Sequence, residues 1–207
     1  MLTLLIARHG NTFDKGDTLL RVGKRTDLPL STSGEIQART LGDYLIADYQ
    51  NIDAVYCSNL SRTQQTAQLA LEKFKQAPQL HISDFLDEID YGPDEGKPEA
   101  DVVIRIGEDA LKQWEEKAIA PEGWIVSPQK IINDWKSFAD SLIKQYPQPK
   151  TVVVVTSNGI ARFSPHIADD FETFAQQNKI KMATGAISQF SFEDGIWQIN
   201  YWNKKPV

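Results

Sequence analysis

Apolar and polar positions alternate along this chain with two periods. Leu2 to Ala7 is an almost unbroken apolar run closed by Arg8-His9-Gly10, the pattern of a strand covered on both faces. A polar loop follows from Asn11 to Pro29. Behind the capping candidates Ser31, Thr32 and Ser33, apolar residues Ile36, Leu41, Leu45 and Ile46 predict a helix to about Tyr49 with those four side chains inward. Asp53 to Cys57 predicts a second strand, Arg62 to about Lys75 a second helix, and Gln79 to Ile82 a short strand. Leu86 to Gly96 is acidic, contains glycine and predicts irregular backbone. Glu99 to Lys117 predicts one helix, and Ser127 to Tyr146 another with Ile131, Trp135, Phe138 and Leu142 inward. Thr151 to Thr156 holds Val152–Val155 in one run, which predicts a central strand covered on both sides. Ser157-Asn158-Gly159 opens a helix, residues 167 to 178 carry a further one, and Ile187–Phe192 with Ile196–Tyr201 alternate as a hairpin around Glu193-Asp194-Gly195. Strands alternating with helices imply an α/β sheet.

Composition narrows the function classes. A chain of 207 residues suits one domain, 1–207, with a cap or insert around residues 84–126. The formal net charge is −6 and no basic block or stripe occurs, which argues against nucleic acid as a partner. Any anionic ligand must then be held by a local cluster of positive groups. Cys57 is the only cysteine, so no internal disulfide forms, in keeping with a reducing compartment. The apolar start is too short for a membrane span and lacks a basic flank or a small-residue cleavage site. The expectation is a cytoplasmic protein without a membrane partner; the sequence carries no mark of an oligomeric state.

Chemistry concentrates where predicted strands meet loops or helices. Ligands in open α/β sheets collect beyond the carboxyl ends of strands. Arg8 offers a planar fork of donors suited to phosphate or carboxylate, and His9 can act as nucleophile, base or metal ligand. Arg62 and Asn158 stand at two further junctions, and Glu88 lies in the acidic loop.

Together these segments resemble the histidine phosphatase superfamily, the group that includes cofactor-dependent phosphoglycerate mutases. Arg8-His9-Gly10-Asn11-Thr12 matches its opening signature, and Gly23, Asp27, Leu30-Ser31 and Gly34 follow its loop pattern. Ser58 to Ala67 looks like its second-arginine motif; Leu86, Glu88, Gly92 and Glu95-Gly96 fit its acidic loop, and Pro121-Glu122-Gly123 resembles a later turn. The resemblance implies a three-layer α/β/α fold with a mostly parallel central sheet. It implies a phosphatase acting on a small phosphomonoester, with His9 transiently phosphorylated. Arg8 and Arg62 would grip the phosphoryl oxygens, and Glu88 would protonate the leaving oxygen and then activate water. Asn11, Thr12, Lys15, Gly23 and Asn158 would complete the substrate-binding set. No cofactor is implied, and no metal is needed where two guanidinium groups supply positive charge. The partner would be a small phosphorylated substrate or inorganic phosphate.

Three departures from the family pattern stand out. Its second histidine, in a Ser-His-Gly setting, corresponds here to Asn158, which donates a hydrogen bond but carries no charge. Lys15 replaces a frequent asparagine, and Trp124 follows Gly123 where Glu-Ser is common. The implied enzyme is therefore slow. Its alternatives are a weakened or inactive phosphate-binding protein and a mutase-like phosphoryl transfer. Blander readings stand beside each residue: Asn158 as a helix N-cap, and Glu88 as one solvated carboxylate among Asp84, Asp87, Asp90, Asp94 and Glu95. His81 is expected in packing and His166 to face elsewhere. Trp114, Trp124 and Trp135 either line a substrate mouth or pack.

Overall fold

The computed structural model describes residues 1–49, 51–147, 150–169 and 171–207. Six strands form one sheet: β1 (Leu2–Arg8), β2 (Ala54–Cys57), β3 (Leu80–Ile82), β4 (Lys150–Thr156), β5 (Ile187–Glu193) and β6 (Ile196–Lys204), in the order β3-β2-β4-β1-β5-β6. The pairings β2–β3, β2–β4 and β1–β4 are parallel, while β1–β5 and β5–β6 are antiparallel. Parallel strands need long crossovers, and helices supply them: α1 (Thr32–Asp48) links β1 to β2, and α2 (Ser61–Leu71) links β2 to β3. Between β3 and β4 come α3 (Glu99–Ile106), α4 (Glu108–Lys117) and α5 (Pro128–Gln145). After β4 follow the single turn α6 (Asn158–Ala161) and α7 (Phe171–Gln177). Among the described residues no helix is long and apolar enough to cross a membrane.

The two central strands explain the layering. On β1 and β4, Leu4, Ile6, Val152 and Val154 face one way, into a cluster with Trp135 and Leu142 of α5, Val102 of α3 and Trp114 of α4. Leu5, Ala7, Val153 and Val155 face the other way, against Leu41 and Leu45 of α1 and Ala67 and Ala70 of α2. Unbroken apolar runs are what two buried faces require, and the expected three-layer α/β/α architecture follows. Each leucine, isoleucine or valine among them contributes about 1.5–3 kcal/mol of burial energy.

Several boundaries differ from the sequence expectations. On α1 the buried residues are Gly34, Ala38, Leu41, Gly42, Tyr44 and Leu45, whereas Ile36 and Ile46 are 60% and 44% exposed. The helix packs its small residues inward because it lies close to α2, where a Cβ on Gly42 would sit 2.4 Å from the Ala70 carbonyl oxygen. The predicted single helix 99–117 is two helices, split at Gly107, whose φ of +82° suits glycine. Helix α2 ends at Leu71 rather than near Lys75, and α7 is shorter than residues 167–178. A 3₁₀ turn, Ser164–Ile167, precedes α7, and Asp170 of that stretch lies outside the described residues.

Candidate active site

The chain leaves β1 toward β2, but β4 lies between those strands, so the carboxyl ends of β1 and β4 adjoin at a topological switch. Arg8 pairs in register with Thr156. The His9 N–H donates to the Thr156 carbonyl at 3.0 Å, and the His9 carbonyl accepts from Gly185 N–H at 3.1 Å. The imidazole is thereby fixed at the strand ends, only 5% exposed. His9 Nδ1 lies 2.7 Å from the Gly10 carbonyl oxygen. A carbonyl only accepts, so Nδ1 carries the proton and Nε2 keeps a free lone pair. Burial holds the His9 pKa well below its usual value, and the positive charges of Arg62 and Arg8 push the same way. Gly10 is required by close approach: a Cβ there would lie 2.4 Å from the Gly34 carbonyl oxygen at the start of α1, while its N–H donates to Thr66 Oγ1 at 3.1 Å.

Two guanidinium groups flank this imidazole. Arg8 donates from Nη1 to the Met182 carbonyl at 2.6 Å, and its buried Nε has no partner among the described residues. Arg62, at the start of α2 and 1% exposed, donates to the Thr26 and Gly23 carbonyls at 3.0 and 3.2 Å, and its buried Nε is likewise unpartnered. Burial lowers both arginine pKa values, and Glu88 partly offsets this. Glu88 is 5% exposed. Its two oxygens accept the Ile89 N–H at 2.9 Å and the Gly159 N–H at 3.2 Å. A Cβ on Gly159 would lie 2.0 Å from Glu88 Oε1.

These groups share one cavity of about 410 Å³ with Asn11, Thr12, Tyr91, Trp114, Asn158, Arg162 and Thr184 among its lining. Arg21–Glu99 and Lys181–Glu115 ion pairs also border it. Asn11 is held by Ser33, Gln37 and Thr184. Asn158 is the first residue of α6, so it is not the N-cap; that position is Ser157, with no side-chain cap bond. The Asn158 amide oxygen instead accepts the Met182 N–H at 2.9 Å. One step beyond the Arg8–Thr156 pair, the residue alongside His9 is Ser157, whose buried hydroxyl has no partner among the described residues.

Other candidates fall outside the lining. Lys15 is exposed. Gly23 lies behind Arg62 and acts on it through its carbonyl. His81 stacks on Tyr56, with ring centroids 4.9 Å apart, and His166 stacks on Phe171 at 3.5 Å. Of the three tryptophans only Trp114 lines the cavity; Trp124 donates to Asp94 and Trp135 to the Ile160 carbonyl. A second cavity of about 440 Å³, between α7 and β6, contains none of the candidate residues.

Arg162 is one cavity residue that sequence reasoning missed, with Tyr91 and Thr184 among others. It is 1% exposed and lies 4.0 Å above the Trp114 ring. Its Nη1 donates to the Trp114 carbonyl, and its Nε donates to the Asn158 carbonyl at 3.3 Å. A signal existed, since residues i and i+4 of a helix opening at Asn158 lie side by side.

Comparisons with known proteins agree with this arrangement. The sequence profile of the histidine phosphatase superfamily (branch 1) matches residues 4–205. PhoE of Bacillus subtilis, described as an uncharacterized phosphatase, is 23% identical over 203 residues, covering 98% of this chain and 95% of its own. The 2,3-bisphosphoglycerate-dependent phosphoglycerate mutase 2 of Gloeobacter violaceus is 26% identical over 156 residues, 74% of this chain and 69% of its own. Among solved structures, mycobacterial glucosyl-3-phosphoglycerate phosphatase complexed with VO3 superposes with a TM-score of 0.79 at 21% identity, over 97% of this chain and 98% of its own. Phosphoserine phosphatase of Entamoeba histolytica in complex with 3-phosphoglyceric acid gives 0.74 at 22% identity, over 99% and 98%. The fold is shared with both, and the profile spans nearly the whole chain: the protein belongs to the histidine phosphatase superfamily.

Proposed function

We propose that the protein is a phosphatase that hydrolyses a small phosphomonoester through a phosphohistidine on His9. One observation carries this reading: a buried imidazole with its Nδ1 proton held by a carbonyl lies in one cavity with two guanidinium groups that have no carboxylate at ion-pair distance among the described residues. Nε2 attacks phosphorus and the ester P–O bond breaks. Glu88 gives its proton to the departing alkoxide oxygen. Glu88 then takes a proton from water, whose oxygen attacks the phosphohistidine, and inorganic phosphate leaves. Arg8 and Arg62 balance charge on the transferring oxygens, and the Asn158 amide group adds a neutral hydrogen bond. Residues 84–126 act as the cap, supplying Glu88, Tyr91, Glu99 and Trp114 to the cavity. A cytoplasmic setting fits the single cysteine, Cys57, whose thiol burial pushes up to about 12.

Trapping with an activated phosphoryl donor followed by peptide mapping tests the reading. Acid-labile phosphate on His9 is expected, and His9→Ala abolishes both label and turnover; label on serine or aspartate refutes the mechanism. The second reading, a phosphate-binding protein without turnover, is favoured by one observation: position 158 bears a neutral amide whose oxygen is already engaged by Met182. Phosphate binding without label on His9 would select it.

A further inference from the structure

We propose that Phe13, Leu19, Leu20 and Val22 bind the alcohol portion of the substrate, so that the substrate class is a phosphomonoester of an apolar alkyl or aryl alcohol. This rests on the phosphatase reading above and assigns what lies on the far side of the ester oxygen.

Four side chains of the cavity are not used by the core. The loop from Asn11 to Pro29 is polar for most of its length, yet its apolar residues Phe13, Leu19, Leu20 and Val22 all line the cavity. Among the described residues, apolar side chains gather in two clusters, one on each face of the sheet, and these four pack against neither. Leu19 is 55% exposed, and the other three are partly buried. One exposed leucine is ordinary on any protein surface. Four apolar side chains that a single loop lends to one concave site are a wall that an apolar ligand group covers.

The wall stands before a ligand arrives. Leu20 bridges antiparallel to Pro98. The Arg21 N–H donates to the Lys97 carbonyl at 2.8 Å, and the Arg21 and Leu19 carbonyls accept the Gly96 and Glu99 N–H groups, each at 2.8 Å. The backbone that carries Leu19 and Leu20 is thus pinned to the cap, and little ordering is left for the binding step. Charge beside the wall is also settled. Arg21, Glu99, Glu115 and Lys181 belong to the same lining and close on one another as Arg21–Glu99 and Lys181–Glu115 pairs. A charged alcohol portion would find those partners taken, whereas an alkyl or aryl group gains by leaving water.

Alkylphosphonates, whose carbon–phosphorus bond the proposed chemistry does not cleave, test this on the whole protein by titration calorimetry. Methyl-, propyl- and pentylphosphonate share a headgroup and differ in apolar length, and 4-hydroxybutylphosphonate matches pentylphosphonate in length with a polar end. Affinity for the native protein rises about two- to fourfold per methylene, and pentylphosphonate binds roughly tenfold tighter than its hydroxylated counterpart. With Phe13→Asn and Leu19→Asn combined, the gain per methylene falls toward one. In Ile104→Asn, at an apolar side chain 82% exposed and outside the lining, the gain persists. Leu19→Asn alone, at a side chain already facing water, lowers the gain part of the way and serves if the double variant does not fold. A native gain near one per methylene, with methylphosphonate bound, overturns the inference and leaves the phosphatase reading standing, since trapping on His9 does not depend on the alcohol. A gain undiminished by the substitutions in the wall also overturns it. Failure of every phosphonate to bind the native protein overturns both.

Discussion

Arginines in the floor of the cavity and arginines outside its lining are held in different ways. Outside the lining, Arg25 engages both oxygens of Asp90 at 3.0 and 2.9 Å, and Arg105 grips Asp94 with Nε and Nη2. In the floor, Arg8, Arg62 and Arg162 donate to backbone carbonyls of Met182, Thr26, Gly23, Trp114 and Asn158. A carboxylate orients a guanidinium and cancels its charge; a carbonyl orients it and leaves the charge in place. The outer arginines therefore fasten loops, and the floor arginines keep their charge.

The largest graded effect is expected at Glu88, the buried carboxylate among the described residues that line the cavity. Glu88→Gln slows hydrolysis of alkyl phosphates by about 10²- to 10⁴-fold and of activated aryl phosphates far less, because a good leaving group needs little proton donation. Rates on a matched pair of esters check this, and equal losses on both deny Glu88 the donor role. Next comes the direct contrast. Arg62→Gln lowers kcat/KM by roughly 10²- to 10³-fold. Arg105→Gln leaves kcat/KM within a few-fold and instead destabilises the fold by about 1–3 kcal/mol, because it strips a partner from the nearly buried Asp94 carboxylate. Urea denaturation and steady-state rates on both variants separate the two roles, and the comparison breaks if they behave alike.

Asn158→His adds a charged donor to the floor and speeds turnover about tenfold, with His9→Ala still inactive in that background. A folded histidine variant as inert as an inert native protein favours the binding-protein reading instead. The smallest effect is a shift in pH. Burial, then Arg62 and Arg8, depress His9, so the attacking neutral form persists below pH 6.5. The acid limb of kcat/KM that reports His9 therefore lies below its ordinary value of about 6.5. Removing the Arg62 charge raises the His9 pKa, so in Arg62→Gln that limb moves up toward 6.5. The same depression makes stability fall as pH drops below 6.5, because the unfolded chain then binds the proton more readily than the folded one.

How much was legible in the sequence depended on how local the cause was. The apolar runs at Leu2–Ala7 and Val152–Val155 encode their own burial, and both became central strands. Arg8, His9, Arg62 and Glu88 were legible because the junction and the loop spacing that carry them are short segments. Gly107 was not, since periodicity does not register which glycine adopts positive φ. Ile36 and Ile46 misled because α1 buries its small residues against α2 instead. Arg162 was missed because its burial depends on Trp114, which is 48 positions earlier in the chain.

The close approach of Gly159 to Glu88 has a meaning for how this chain can diversify. Glycine and alanine differ by one methyl group, the mildest substitution available to most positions. Here that methyl would land on an oxygen of the carboxyl group proposed to transfer the proton, so the first thing lost is chemistry and not the sheet beneath it. A chain with alanine at position 159 would keep its cavity and displace its acid.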